Sequence, residues 1–230
     1  MSDLLDHAAD LLLGSRCPGC HLPGRGLCAS CRRELARGRV GFVERDPSPP
    51  GFPLTVSAGD YTGVMPALLT GFKDERLVDL AAPLAGRLGQ SVVHFLAALG
   101  RLGQAYALVP VPSAPVAIRE RGLDHTQLLA TRAAREVRRE VGLVLPVRRL
   151  IRPPRRVVDQ VGLDATARLM NRSNHFLAVP SSRGEIPILV DDVTTTGSTL
   201  AAAALALARV GSPALGAVVV AATVRRTPSR

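Results

Sequence analysis

Apolar residues recur along this chain in two rhythms, compact runs of four to eight and a spacing of three and four, and the two rhythms alternate. Leu4, Leu5, Ala8, Leu11 and Leu12 stand at helical spacing and predict a short amphipathic start. LTVSAGDY at 54–61 predicts a strand, and helical patterns follow at about 63–72 and 76–98. AYALVPVP at 105–112 predicts a buried strand running into a proline-broken loop, and 122–141 a long amphipathic helix. GLVLPVRRLI at 142–151 predicts another strand and 164–171 a short helix. EIPILVDD at 185–192 predicts a strand that feeds a helix over about 198–210, and LGAVVVAATV at 215–224 closes the sheet. Strands alternating with helices predict an α/β domain with a mostly parallel, doubly wound sheet, because parallel neighbours need crossover connections.

Composition divides the chain. The stretch from Cys17 to Cys31 is rich in glycine and proline, and RDPSPPGFP at 45–53 reads as a linker. The expected organisation is a small N-terminal module over 1–45, a linker over 46–53, a main domain over 54–225 and a loose tail over 226–230. The chain has 230 residues, 47% of them hydrophobic, enough for a sizeable core. No apolar run approaches the roughly 20 residues of a membrane-spanning helix. The opening is acidic and short where a secretory signal is basic and then greasy, so a cytoplasmic protein without membrane insertion is expected. The pattern leaves the oligomeric state open.

All four cysteines lie in CPGCHLPGRGLCASC. Cys17 and Cys20 form one Cys-x-x-Cys turn, Cys28 and Cys31 the next, and each turn can aim two thiolates at one ion. Two such turns complete a tetrahedron around a structural zinc and predict a zinc-ribbon-like module too small for a core of its own. A redox role for either pair is the rival reading, and the adjacent His21 is an alternative ligand.

The densest chemistry lies in ILVDDVTTTGSTL at 188–200. Ligands of an open α/β sheet bind beyond the carboxyl ends of the strands, where Asp191 and Asp192 stand. Successive strand residues point to opposite faces, so at least one of the two carboxylates faces the crevice. Gly197 permits a tight turn into a helix whose first N–H groups lack partners. The hydroxyls of Thr194, Thr195, Thr196, Ser198 and Thr199 surround those donors, and together they make a cradle for a phosphate monoester. The plainer alternative is that Asp192 caps the helix and the threonines are a polar loop.

This stretch resembles the phosphoribosyl pyrophosphate (PRPP) signature of type I phosphoribosyltransferases. The resemblance implies that Asp191 and Asp192 hydrogen-bond the ribose 2- and 3-hydroxyls. Val193, Thr194, Thr195, Thr196, Gly197, Ser198 and Thr199 would then belong to the run that wraps the 5-phosphate.

Two further segments add anion chemistry. Pro110 and Pro112 stand just past a buried strand, where they stop pairing and leave backbone groups for a ligand, or simply make a rigid turn. Arg119 and Arg121 precede Gly122, and guanidinium forks suit phosphate oxygens, although a solvated basic face is the alternative. With YTG at 61–63, GFK ending at Lys73, VPVP at 109–112, RERG at 119–122, Gln160 and RLMN at 168–171, the chain is similar over nearly its whole length to the ComF family. These are competence-associated, phosphoribosyltransferase-like proteins with an N-terminal cysteine cluster. The similarity implies a fold of the type I phosphoribosyltransferase kind, with Val111, Pro112, Ser113 and Ala114 and the catalytic Lys73 on the pyrophosphate side. It makes Arg119 and Arg121 anion contacts, and Gln160, Arg168 and Asn171 parts of a hood. One departure from the family pattern is RGLDHTQ at 121–127, which puts His125 in the site wall, either as a proton donor or as an ordinary helix residue.

Two functions are expected from these readings. One is Mg²⁺-dependent displacement of pyrophosphate from PRPP by an unidentified acceptor, with Asp191, Asp192 and Lys73 as catalytic residues. The other is a PRPP-sensing, single-stranded-DNA-binding component of DNA uptake. A net charge of +10 supports phosphate contact, whereas 3% aromatic residues and no tryptophan give few stacking platforms for bases. Among 29 basic residues Lys73 is the single lysine.

Overall fold

The computed structural model describes residues 16–24, 26–75, 77–101, 103–113, 118–120, 122–153 and 176–223. The helices expected at 4–12 and 164–171, the tail at 226–230, and Ala114, Arg121, Gln160, Arg168 and Asn171 lie outside the described residues. No helix among the described residues is long and apolar enough to cross a membrane.

Helix α1 (Ala29–Arg37) leads into β1 (Gly41–Phe42). Then follow β2 (Thr55–Ser57), α2 (Met65–Lys73), a 3-10 turn (Val78–Leu80), α3 (Ala81–Ala98) and β3 (Tyr106–Pro110). The second half contains α4 (His125–Val141), β4 (Ile151–Arg152), β5 (Leu177–Ala178), β6 (Ile186–Thr194), α5 (Ser198–Arg209) and β7 (Gly216–Ala222). The main sheet runs β1-β2-β7-β6-β3 and is parallel throughout except where β1 pairs with β2. This is the expected doubly wound α/β class. All five residues of β3 and all seven of β7 are buried, as continuous apolar runs should be in a sheet covered on both faces. Side chains of α2, α3 and α4 pack on one face with Val56, Ile188, Val190, Val218 and Val220. On the other face Leu200, Ala203 and Leu207 of α5 pack with Val109, Leu189, Ala217 and Val219.

Expectation and structure part at 142–151. Only Ile151–Arg152 is a strand there, and it pairs with β5 in a separate ribbon. Pro146 has no N–H to offer β3, so the segment makes a single bridge, Val147 to Leu108. Leu108 N–H donates to the Pro146 carbonyl, and Arg148 N–H to the Leu108 carbonyl, at 2.9 Å each. Pro110, expected beyond its strand, is instead the last residue of β3 and stands opposite Val190.

The four cysteine Sγ atoms all lie within 4.8 Å of one another, with Cys20 and Cys28 at 3.6 Å. A tetrahedral zinc with Zn–S bonds of about 2.3 Å has sulfur–sulfur edges of about 3.8 Å, so this donor set can hold zinc with no open position. His21 is not part of the group. Burial opposes ionisation of Cys17, but the backbone N–H groups of Cys28, Gly19 and Cys20 prevail and bring its thiol down to about 6. Burial and the neighbouring thiols push Cys31 in the opposite direction. Thiols this close ionise together only around a cation.

The cluster belongs to the main core. Cys17, Leu27, Cys31 and Leu35 pack with Met65, Leu68, Leu69 and Phe72 of α2, the helix that ends at Lys73. Glu34 accepts the Val64 N–H at 3.0 Å, just ahead of α2. From α3, Arg87 is 6% exposed and donates to the carbonyls of Ala36 at 3.3 Å, of Gly38 and of Ala58, which fastens the end of α1 beside the top of β2. A substitution Cys28→Ser removes one thiolate ligand but leaves a hydroxyl at the α1 cap, where the Cys28 sulfur accepts the Cys31 N–H at 3.5 Å. Metal analysis should find about one zinc per unsubstituted chain and well under half of that in the variant, with melting lowered by roughly 5 °C or more. Equal zinc content in the two would contradict the ligand assignment.

Candidate functional site

The site begins where β6 outruns β3. Ile188, Leu189 and Val190 are fully buried, and the last residue of β3 pairs with Val190. Asp191, Asp192, Val193 and Thr194 therefore continue past the end of β3 while still held by β7 on the other side. Strand alternation sends the two acids to opposite faces. Asp192, 5% exposed, forms an ion pair with Lys73, while its Oδ1 accepts the Val193 N–H at 2.6 Å. Asp191 is half-buried and its Oδ1 accepts the Asp192 N–H at 2.9 Å. Burial pushes the Asp191 carboxyl up to about 7, and the nearby positive charge of Lys73 opposes that rise. Lys73 is the last residue of α2, where the helix dipole favours a cation.

Beyond the acids the chain turns through Thr195, Thr196 and Gly197 into α5. Gly197 is the N-cap at φ 81°, a left-handed conformation that favours glycine, and no side chain caps this helix. Asp192 is thus not the helix cap. Thr195, Thr196 and Thr199 are exposed and Ser198 is half-buried. The Thr196 and Ser198 hydroxyls are hydrogen-bonded to each other at 2.9 Å. Thr194 is buried, and its hydroxyl has no partner among the described residues. The turn therefore places hydroxyls and the open amide end of a twelve-residue helix beside two carboxylates.

The neighbouring loop follows β3. Val111 is buried and donates its N–H to the Val190 carbonyl at 2.8 Å, and Pro112 and Ser113 are half-buried. They stand alongside the acids because β3 and β6 are paired up to Val190. Arg119 is exposed. His125 is 2% exposed, packed edge-on to the Phe72 ring at 4.8 Å between centroids, a core position and not a proton donor open to a ligand.

Three residues that the sequence did not single out touch the hydroxyl turn. Arg45 donates to the carbonyls of Thr195 and, at 3.5 Å, of Thr194. Phe52 lies against Gly197, and its ring is 5.4 Å from the Arg45 guanidinium carbon. Thr223 donates its N–H to the Thr194 carbonyl and its hydroxyl to the Thr195 carbonyl, at 3.0 Å each. Arg45 and Phe52 sit in or beside a proline-rich stretch with no periodicity, and nothing local marks one arginine out of so many.

The match to a phosphoribosyl transferase domain family covers residues 127–229, which takes in most of α4 and all of β6, the turn, α5 and β7. The chain is 31% identical over 198 residues to the DNA utilization protein YhgH of Salmonella typhimurium, covering 86% of this chain and 80% of that protein. The protein of the same name from Escherichia coli K12 is 28% identical over 199 residues, with coverage of 86% and 80%. Competence protein F of Haemophilus influenzae is 28% identical over 211 residues, covering 80% of this chain and 87% of that protein. Relatives that share most of their length with it, one of them named for competence, place this chain in the ComF family of competence-associated proteins with a phosphoribosyltransferase-like domain.

Proposed function

We propose that the chain binds PRPP at the carboxyl end of β6 and that an acceptor, a nitrogen base or another nucleophile, displaces pyrophosphate from ribose C1. The observation that carries this reading is the succession of Asp191 and Asp192 and the hydroxyl turn at one strand end, with Lys73 reaching the acids from α2. Each part has a task. The carboxylates accept hydrogen bonds from the ribose 2- and 3-hydroxyls. The turn from Thr194 to Thr199 takes the 5-phosphate through hydroxyls and amides. Val111, Pro112 and Ser113 would take the pyrophosphate side, with Lys73 as its cation. As the C1–O bond breaks, its electron pair leaves with pyrophosphate, and the new bond forms from the nucleophile to C1. A fixed cation next to that leaving group stabilises the charge that develops. Magnesium bound with the substrate supplies charge neutralisation for pyrophosphate, and Asp191 and Asp192 are the carboxylates that would hold it or its waters.

We also propose a nucleic-acid partner. The relatives' names refer to DNA utilization and to competence, and α4 exposes Arg135 and Arg138 on its outer side, with Arg149 exposed just beyond it. Contacts of this kind go to phosphate and carry no sequence code.

Substituting Asp191→Ala with Asp192→Ala should weaken magnesium-dependent PRPP binding about 100-fold or more in calorimetry, the loss of several charge-assisted hydrogen bonds. Undiminished binding contradicts the site.

The raised Asp191 pKa gives a pH dependence. Between about pH 4 and pH 7 the folded chain keeps a proton on Asp191 that the unfolded chain has shed, so without ligand this group makes stability fall as pH rises through that window. The ionised form is the one that accepts hydroxyl donors or a cation, so Asp191 strengthens PRPP binding as pH rises towards 7. Asp191→Asn should flatten the stability slope in urea titrations at pH 4.5 and 7, and an unchanged slope contradicts the assignment.

For DNA, Arg135→Gln with Arg138→Gln should reduce the salt dependence of single-stranded oligonucleotide binding by a log–log slope of about 1 to 2, measured by anisotropy. An unchanged slope removes α4 from the DNA contact.

A further inference from the structure

The peptide planes of the turn are fastened from behind, and the fastener comes from outside the phosphoribosyltransferase motif. In a trans peptide the carbonyl and the N–H point in opposite directions. Arg45 and Thr223 draw the carbonyls of Thr194 and Thr195 to one side, so the N–H groups of Thr195 and Thr196 are turned to the other. The hydroxyls of Thr196 and Ser198, 2.9 Å apart, belong to the same turn. Gly197 is wedged into the same corner, since a Cβ on it would lie 2.7 Å from the Phe52 ring and 3.3 Å from Arg45 Nε. Phe52 in turn stacks against the guanidinium and packs with the α5 side of the core.

We propose that Arg45 is a positioning residue for the phosphate turn, holding the Thr195 and Thr196 amides aimed at the 5-phosphate of the ligand. This rests on the PRPP reading of the site. Because the guanidinium binds two successive carbonyls, it fixes two peptide planes at once, which a point donor cannot do as well. The Thr223 hydroxyl shares one of its acceptors. Preorganised donors bind an anion more tightly than donors that must be ordered on binding. The segment joining the cysteine module to the main domain thereby becomes part of the phosphate site.

The test is titration of the full chain with ribose 5-phosphate, which carries the phosphate and the diol but no pyrophosphate. Arg45→Gln should weaken ribose 5-phosphate binding about tenfold or more, and Arg45→Lys should restore part of that loss. Thr223→Val, which removes the other side-chain donor to Thr195, should weaken it about threefold. Melting curves of the three variants separate this from unfolding, and the Thr223→Val result stands even if Arg45→Gln fails to fold. Equal affinity in Arg45→Gln and the unsubstituted chain overturns the proposal while leaving the PRPP site intact. A loss that Arg45→Lys does not relieve at all overturns it too. Absence of ribose 5-phosphate binding by the unsubstituted chain overturns the site reading on which it rests.

Discussion

The ion pair between Lys73 and Asp192 joins the two halves of the site. Asp192 is buried at the end of a parallel strand, where a carboxylate needs a partner. Lys73 supplies it from the end of a helix otherwise occupied with the core, since Leu68, Leu69 and Phe72 are all fully buried. The contact therefore spans the sheet and the helix layer, and it fixes where the positive charge can be when a ligand arrives. Asp191, on the other face of the strand, is left with its carboxyl raised by burial, so adjacent acids have different environments and different readiness to ionise.

The same helix is what the cysteine module rests on. Cys17 and Cys31 are in the cluster that contains Phe72, and Glu34 holds the backbone ahead of α2. A zinc held by these four sulfurs would have no open position for chemistry. It would stand in for the core that a Gly- and Pro-rich stretch of this size cannot build, and the cysteines pack against the helix that carries Lys73. Farther along the chain, Arg45 and Phe52 pack against the hydroxyl turn.

Much of this was legible from residue patterns because the relevant physics is local. The apolar runs of β3, β6 and β7 are continuous because both faces of a parallel sheet are covered, and the acids and hydroxyls after ILV stand at the carboxyl end of a strand, as the sequence places them. Two Cys-x-x-Cys turns bring four sulfurs together by spacing alone. Long-range contacts were not legible. The sequence 142–151 has the composition of a strand, but Pro146 and the separate pairing of Ile151 make it an irregular edge. His125 looked like a residue of the site wall, yet packing against Phe72 makes it core. Arg45 reaches Thr195 across 150 positions, a distance over which no periodicity carries information.

Lys73 is the only lysine of the chain, so lysine labelled with carbon-13 at Cε gives a single side-chain resonance that reports from the centre of the site. Titration with PRPP and magnesium should move that resonance and saturate it, whereas ribose without phosphates should leave it in place. A Lys73 signal that stays unchanged at saturating PRPP would contradict the account.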